Sequence, residues 1–295
     1  MKFNLQAALG RRFVAGVPTA WLLLLFAVPF VIVLKISFSE VRLAMPPYAP
    51  LFEAHALHFH LSNYAFLFTD PLYIRSYLYS LQVAAVSTIL CLLIGYPMAY
   101  AIAHAPATTR SVLLMLIVLP FWTSFLLRVY AWIGLLKNNG VINNVLMYFG
   151  VIHEPLTLLQ TDFAVYIGIV YSYLPYMILP LYSNLEKHDG TLLEAAADLG
   201  ASPFTAFRRI TLPLSLPGIA AGSLLVFIPA VGEYVIPSLL GRTDQLMIGR
   251  VLSDEFFENR DWPVASAVAI LMLLLLVVPI VLFQRLERRE VGTGA

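Results

Sequence analysis

The stretch EKHDGTLLEAAADLGASPFTAFRRITLPLSLP, residues 186–217, is charged and full of helix punctuation, yet it lies between two long apolar runs. Thr191 with Glu194 three residues on has the spacing of a capping box, so a helix is predicted to start there. Gly200 suits the C′ position that closes a helix in the left-handed conformation. Ser202 and Pro203 then supply an N-cap and a first-turn proline for a second short helix. Pro213 and Pro217 are expected to stop that helix before the next apolar run. The prediction is a helix–glycine–helix hairpin standing out of a membrane. Ala195, Ala196 and Ala197 give its first helix a thin face that another protein can approach closely, although capping alone would also explain Glu194.

Outward from this hairpin the chain reads as lipid-embedded. Its 295 residues are 60% hydrophobic and 12% charged, with a mean hydropathy of +0.82; soluble domains carry about 25% charged residues. A bilayer span needs about 20 mostly apolar residues. Six segments qualify, at roughly 17–37, 77–103, 112–136, 163–184, 218–240 and 264–283. Each is flanked by charge, from Arg11 and Arg12 before the first to Arg285, Arg288 and Arg289 after the last. Pro29, Pro97, Pro120, Pro175, Pro180, Pro229 and Pro279 fall within these runs, which a membrane bundle tolerates because neighbouring groups meet the freed backbone. The fold class expected is an all-α integral membrane protein of six spans in one domain. The N-terminus resembles a signal-peptide n-region, but its apolar run is too long, so a retained first helix is expected.

Lys and Arg concentrate on the side that places both termini and the hairpin in the cytoplasm. The opposite side, including an external segment at 38–76, then holds ten acids against six bases, an excess of four negative charges that would concentrate a cationic solute. Acids avoiding the cytoplasmic flanks would give the same pattern. The lone cysteine, Cys91, excludes disulfides and cysteine-rich metal sites. His55, His58 and His60 lack the ligand spacing of a metal site. There is no basic stripe for nucleic acid, and no phosphate-binding loop or nucleophile elbow.

Glu233 is the carboxylate inside a span, with Gly232 beside it and Pro229 and Pro237 on either side. That composition predicts a broken helix, and broken helices at membrane depth tend to line a solute pathway. An ion pair with Arg128 is the competing reading, and the two can coexist. Snorkelling to the interface is a further reading of Arg128. Trp122, Tyr130 and Trp132 near Arg128, Tyr171, Tyr173 and Tyr176 on the fourth span, and Tyr234 and Phe227 near Glu233 present faces that attract alkylammonium groups. An ordinary interfacial aromatic belt is the plainer account of any one ring. The acidic, aromatic stretch 252–263 is a candidate external docking surface.

Glu194-Ala195-Ala196, Gly200, Ile210 and Leu212-Pro213 match every defined position of the EAA loop, E-A-A-x3-G-x9-I-x-L-P, of ABC-importer permeases. In that family this loop is the coupling helix that docks into a cleft of the ATPase subunit. The stretches 127–146, 227–241 and 247–270 look like the putrescine and spermidine uptake permeases, along nearly the whole chain. The resemblance implies a type I importer permease fold in the bacterial inner membrane. It also implies a second, different permease, two ATPase subunits that carry the ATP and Mg, and a periplasmic polyamine-binding protein. No cofactor is then expected on this chain. Permeases for an anion, iron or thiamine keep the class and change the cargo; an anion path would call for Arg or Lys in the spans, where Arg128 is available and otherwise only Lys35 at the end of the first. An ion-driven secondary transporter would instead show paired broken helices with several intramembrane carboxylates.

Overall fold

The computed structural model describes residues 14–292 apart from 15, 51, 54, 55 and 58. In chain order, α1 (Gly16–Ser37) leads to a two-residue antiparallel ribbon of β1 (Phe52–Glu53) and β2 (Ala56–Leu57). Then come α2 (Ser62–Thr69), α3 (Pro71–Ala103), α4 (Ala107–Val118) with a 3-10 turn at Leu119–Trp122, α5 (Phe125–Leu136) and α6 (Val141–Tyr148). After these follow α7 (Asp162–Leu185), α8 (Thr191–Asp198), α9 (Pro203–Leu214), α10 (Leu216–Val231), α11 (Val235–Leu240), α12 (Ile248–Ser253) and α13 (Trp262–Gly292).

Among the described residues, α1, α3, α7 and the Trp262–Val281 part of α13 are each long and apolar enough to cross a bilayer. Two further candidates are bent pairs: Ala107–Trp122 meets Phe125–Tyr148 at 90°, and Pro203–Leu214 meets Leu216–Val231 at 61°. Counting each pair as one span gives six.

The third span departs from the straight run expected at 112–136. Pro120 tightens the helix into its 3-10 turn, and Thr123 and Ser124 then adopt extended backbone, with ψ of 153° and 137°. The Thr123 hydroxyl donates to the Pro120 carbonyl at 2.8 Å, so the side chain offers the backbone an alternative to the helical ladder. Within residues 38–76, Ser62–Thr69 is helical, and α3 begins at Pro71, ahead of the span start expected at 77. His55 and His58 lie outside the described residues, as do Lys2, Arg11 and Arg12. His60 stands 3.9 Å from Glu40, and no three potential metal ligands gather among the described residues.

The chain divides into two compact units. One comprises the chain up to Pro71 together with Leu252–Leu274; the larger comprises Leu72–Val251 and the chain from Leu275 on. In the first, Trp262 stacks between Phe256 and Tyr48, at 4.9 and 6.2 Å between ring centroids.

The core of the larger unit joins Cys91, Ala99 and Ile102 of α3, Met177, Ile178, Leu181 and Leu185 of α7, and Val226 of α10. Lipid tails are as apolar as these side chains, so close van der Waals fit, rather than release of water, holds such helices together. The fit depends on Gly222, where a Cβ would stand 2.8 Å from Met177 Sδ and 3.0 Å from the Met177 carbonyl. The start of α7 is fixed by its own sequence. Thr161 Oγ1 accepts the Ala164 N–H at 3.3 Å, and Asp162 lies at the positive end of the helix dipole, where it also accepts from the Tyr79 hydroxyl at 2.8 Å.

Candidate functional site

The hairpin forms where the sequence placed it. Gly200 has φ of +77°, its N–H donates to the Ala197 carbonyl, and the Ala201 N–H donates to the Ala196 carbonyl, both at 2.9 Å. Those two bonds are a Schellman close, and a residue with a Cβ would be strained there. Ser202 Oγ accepts the Thr205 N–H at 3.3 Å with Pro203 in the first turn, the N-cap predicted for α9.

Two local expectations are corrected. Thr191 is the first helical residue of α8, and no capping box forms. Asp189 Oδ1 accepts the Thr191 N–H at 3.0 Å instead, and that backbone hydrogen bond holds the Asp189 carboxyl below the usual range. Asp189-Gly190 ahead of the helix was the overlooked signal, since Asp readily bonds backbone two residues on. Nor does Pro213 stop α9. The helix passes through Pro213 as far as Leu214, and α10 restarts at Leu216 with Pro217 in its first turn, where a missing N–H costs nothing.

Glu194, Ala195 and Ala197 face solvent, whereas Ala196 turns inward. Around them Leu192, Leu199 and Phe204 are 45%, 89% and 71% exposed, an apolar rim on an otherwise polar hairpin. Ile210 lies at the hairpin's base, bordering a small pocket with Leu193, His188 and Leu214. Leu212 is half-buried and Pro213 exposed.

The fifth span breaks at Gly232–Tyr234, between α10 and α11, and the break is sealed. Glu233 is 7% exposed. Its Oε1 accepts the N–H groups of Tyr234, Val235 and Ile236 at 3.1, 2.9 and 3.3 Å. These are donors that the start of α11 would otherwise leave without a partner. The Tyr173 hydroxyl donates to Oε2. Over the break lies the backbone of Gly249, where a Cβ would come within 2.8 Å of the Glu233 carbonyl.

Arg128 takes a different partner from the one the ion-pair reading required. Its guanidinium carbon stands 5.4 Å from the ring centre of Phe121 and 5.7 Å from that of Phe125. Phe121 meets Tyr176 at 5.2 Å, and Tyr176 meets Tyr173 at 5.9 Å. An aromatic ladder on α7 therefore joins the break in the third span to the break in the fifth. Trp132 packs edge-on against Tyr171 at 5.5 Å. Trp122, Tyr130 and Tyr234 are exposed at 80%, 56% and 43%, and Phe227 is half-buried on α10. A cavity of about 460 Å³ between α3, α4 and α7 touches only Tyr171 of the predicted pathway residues, and its apolar lining does not suit a cation.

Residues 92–291, which hold the hairpin and both breaks, match the family described as binding-protein-dependent transport system inner membrane component. The chain belongs to this family. It is therefore a membrane-embedded transport component of the inner membrane and not an enzyme. It is 41% identical over 269 residues to the spermidine/putrescine transport system permease protein PotB of Haemophilus influenzae, covering 91% of each chain. It is 43% identical over 230 residues to PotB of Escherichia coli, covering 78% of this chain and 83% of that one. Among solved structures, a bacterial alginate ABC transporter in complex with its pentasaccharide-bound periplasmic protein has a chain that superposes with a TM-score of 0.71. That match covers 97% of this chain and 98% of the other at 18% identity, and it shows the fold of an ABC importer permease.

Proposed function

We propose that this chain is one permease half of an ATP-driven polyamine importer, with both termini in the cytoplasm and the α8–α9 hairpin as its contact with the ATPase. The observation that carries the reading is its similarity, over 78–91% of its length, to permeases named for spermidine and putrescine. The acid excess on the side opposite the hairpin suits such a cargo, because a negative surface concentrates cations before they enter. The working assembly is a second, different permease, two ATPase subunits that bind ATP with Mg, and a periplasmic polyamine-binding protein.

The hairpin is built to transmit force. Both ends of α8 are tied, by Asp189 at the start and by the Schellman close at the end, so it moves as one body. Glu194, Ala195 and the exposed Leu199 and Phe204 form the face that seats in the ATPase, with Gly200 as the corner and Ile210, Leu212 and Pro213 carrying the motion to α10. When the ATPase pair closes on ATP, the hairpins are pushed together and the path opens outward to the loaded binding protein.

The path itself is lined by aromatic faces, Tyr234, Phe227, Tyr130, Trp122 and the Trp132–Tyr171 pair, with Arg128 at its outer margin. Each cation–π contact contributes ~0.5–2 kcal/mol to an ammonium group. Glu233 with Tyr173 holds the broken helix that shapes this wall.

The test reconstitutes the complete assembly in liposomes. Putrescine, spermidine and related di- and triamines, each with the binding protein, are expected to stimulate ATP hydrolysis. Glu194→Lys is expected to insert and assemble normally yet lose uptake by about tenfold or more, the scale of a coupling free energy of ~1–3 kcal/mol. Full uptake in that variant, with normal subunit ratios, overturns the hairpin's role. Stimulation by oxyanions but not by amines overturns the cargo.

A further inference from the structure

Arg110, in the first turn of α4, ties the turn just before it to a carboxylate 76 positions further along the chain. Its Nη1 donates to Glu186 Oε1 at 2.6 Å, and its Nη2 to the carbonyls of Ala103 and Ala105 at 3.0 and 3.2 Å. Ala103 is the last residue of α3, and its carbonyl is one of the acceptors that every helix C-terminus leaves over. Glu186 directly follows α7 and opens the segment that enters the hairpin. One cation therefore meets the negative ends of two helix dipoles and a carboxylate. Hydrogen bonding from the Tyr182 hydroxyl, then from Arg110, holds the Glu186 carboxyl below its usual range, so that carboxylate is ionised at neutral pH. On the other side of the hairpin's base, His188 Nε2 lies 3.2 Å from the Leu214 carbonyl.

We infer that Arg110 is a positioning residue for transport, the clamp through which displacement of the hairpin reaches the α3–α4 turn and α4. The inference rests on the reading of the hairpin as the ATPase contact. By covalent connection alone, a push on the hairpin moves α7 and α10, because the chain runs from one into the hairpin and out into the other. Nothing covalent nearby obliges the second and third spans to follow. Tyr96 and Tyr100 of α3 already meet Phe207 of α9 edge-on, and the Tyr96 hydroxyl bonds Ser215; the guanidinium extends the link to α4, gripping the turn between α3 and α4 with one nitrogen and the root of the hairpin with another. An isolated surface ion pair would contribute little. The planar fork, engaged by three acceptors from two segments, is a geometry that lysine cannot reproduce. The link also reaches the broken third span directly, since Arg110 sits on the helix that leads to Pro120 and the 90° bend.

The full assembly in liposomes, with its binding protein and radiolabelled putrescine or spermidine, separates this from a purely structural staple. The quantity read is ATP hydrolysed per polyamine taken up. Arg110→Lys and Arg110→Ala are expected to raise that ratio about five- to tenfold in complexes of normal composition. Glu186→Gln, which leaves the grip on Ala103 and Ala105 intact, is expected to raise it less. A staple that merely holds the fold would lower thermal stability and leave the ratio alone; an unchanged ratio in Glu186→Gln and Arg110→Lys overturns the inference. Should Arg110→Ala fail to assemble, those two variants still decide. If Glu194→Lys uncouples while the Arg110 and Glu186 variants stay coupled, the clamp falls and the hairpin's role stands. If Glu194→Lys stays coupled as well, both fall.

Discussion

At Thr123–Ser124 and at Gly232–Tyr234 the chain leaves the helix inside an apolar run, with Pro120 near the first break and Pro229 and Pro237 beside the second. The second break is finished from within. A buried carboxylate takes three backbone donors and a tyrosine hydroxyl, and the backbone of Gly249 covers it. The first is left open: Ser124, the N-cap of α5, offers no side-chain hydrogen bond to the helix, and Trp122, Thr123 and Ser124 are all exposed. Backbone groups exposed to hydrocarbon carry a free-energy penalty of several kcal/mol. The open break therefore belongs where water or another chain meets it, whereas the closed one is part of the fixed frame. The closed break secures the fold, and the open one is placed to meet something outside the chain.

The comparison is broken most directly at Glu233. Glu233→Leu removes the acceptor for four donors at a site nearly closed to solvent. At ~1–3 kcal/mol for each buried group left unpaired, the loss is on the order of 4 kcal/mol or more. The expected result is a large fall in the thermal stability of the purified subunit, or its disappearance from the membrane. Glu233→Gln, whose amide oxygen still accepts from α11, should retain most of the stability. A Glu233→Leu subunit as stable as the wild type would show that this break is as open as the first.

Tyr173→Phe tests the same seal from its other side and should do less. The caps on α11 survive, and one carboxylate oxygen loses a donor, for a loss of about 1–3 kcal/mol. The ring keeps its place beside Tyr176. A fall as large as that of Glu233→Leu would move the weight from the hydrogen bond to the aromatic ladder.

What the sequence made legible follows the range of the chemistry involved. Gly200 and Ser202 act within a few residues, and their roles could be read from spacing alone. The fifth-span break was equally local, because two prolines and a glycine crowd one site. The third-span break was not. Pro120 reads no differently from Pro97 or Pro175, which the helices absorb, and what ends the helix is the extended backbone at two hydroxyl residues further on. Glu233 was evident as an anomaly, but its partner Tyr173 lies 60 positions away in another helix, so pairing with Arg128 was as good a reading. Arg110 and Glu186, 76 positions apart, looked like ordinary flanking charges. Patterns of hydropathy identify which residues enter the membrane, while the partner each polar group takes there depends on helix packing that no single stretch encodes.

The smallest effect, and the one that most sharpens the contrast, belongs to Trp122. At 80% exposure it contributes little inside its own chain, so Trp122→Ala should change the stability of the isolated subunit by no more than about 0.5 kcal/mol. If the open break is completed by the second permease proposed for the assembly, the same substitution should weaken that pairing by about 1 kcal/mol or more, because buried tryptophans dominate interface energetics. Subunit dissociation measured in a single detergent, beside thermal unfolding of the separated chain, distinguishes the two. Equal and small effects in both would leave Trp122 as a residue of the lipid interface, and the open break would then have to be met by water. A large effect in the isolated chain would mean that the third-span break is held from within after all, and the distinction between the two breaks would fail at the residue chosen to mark it.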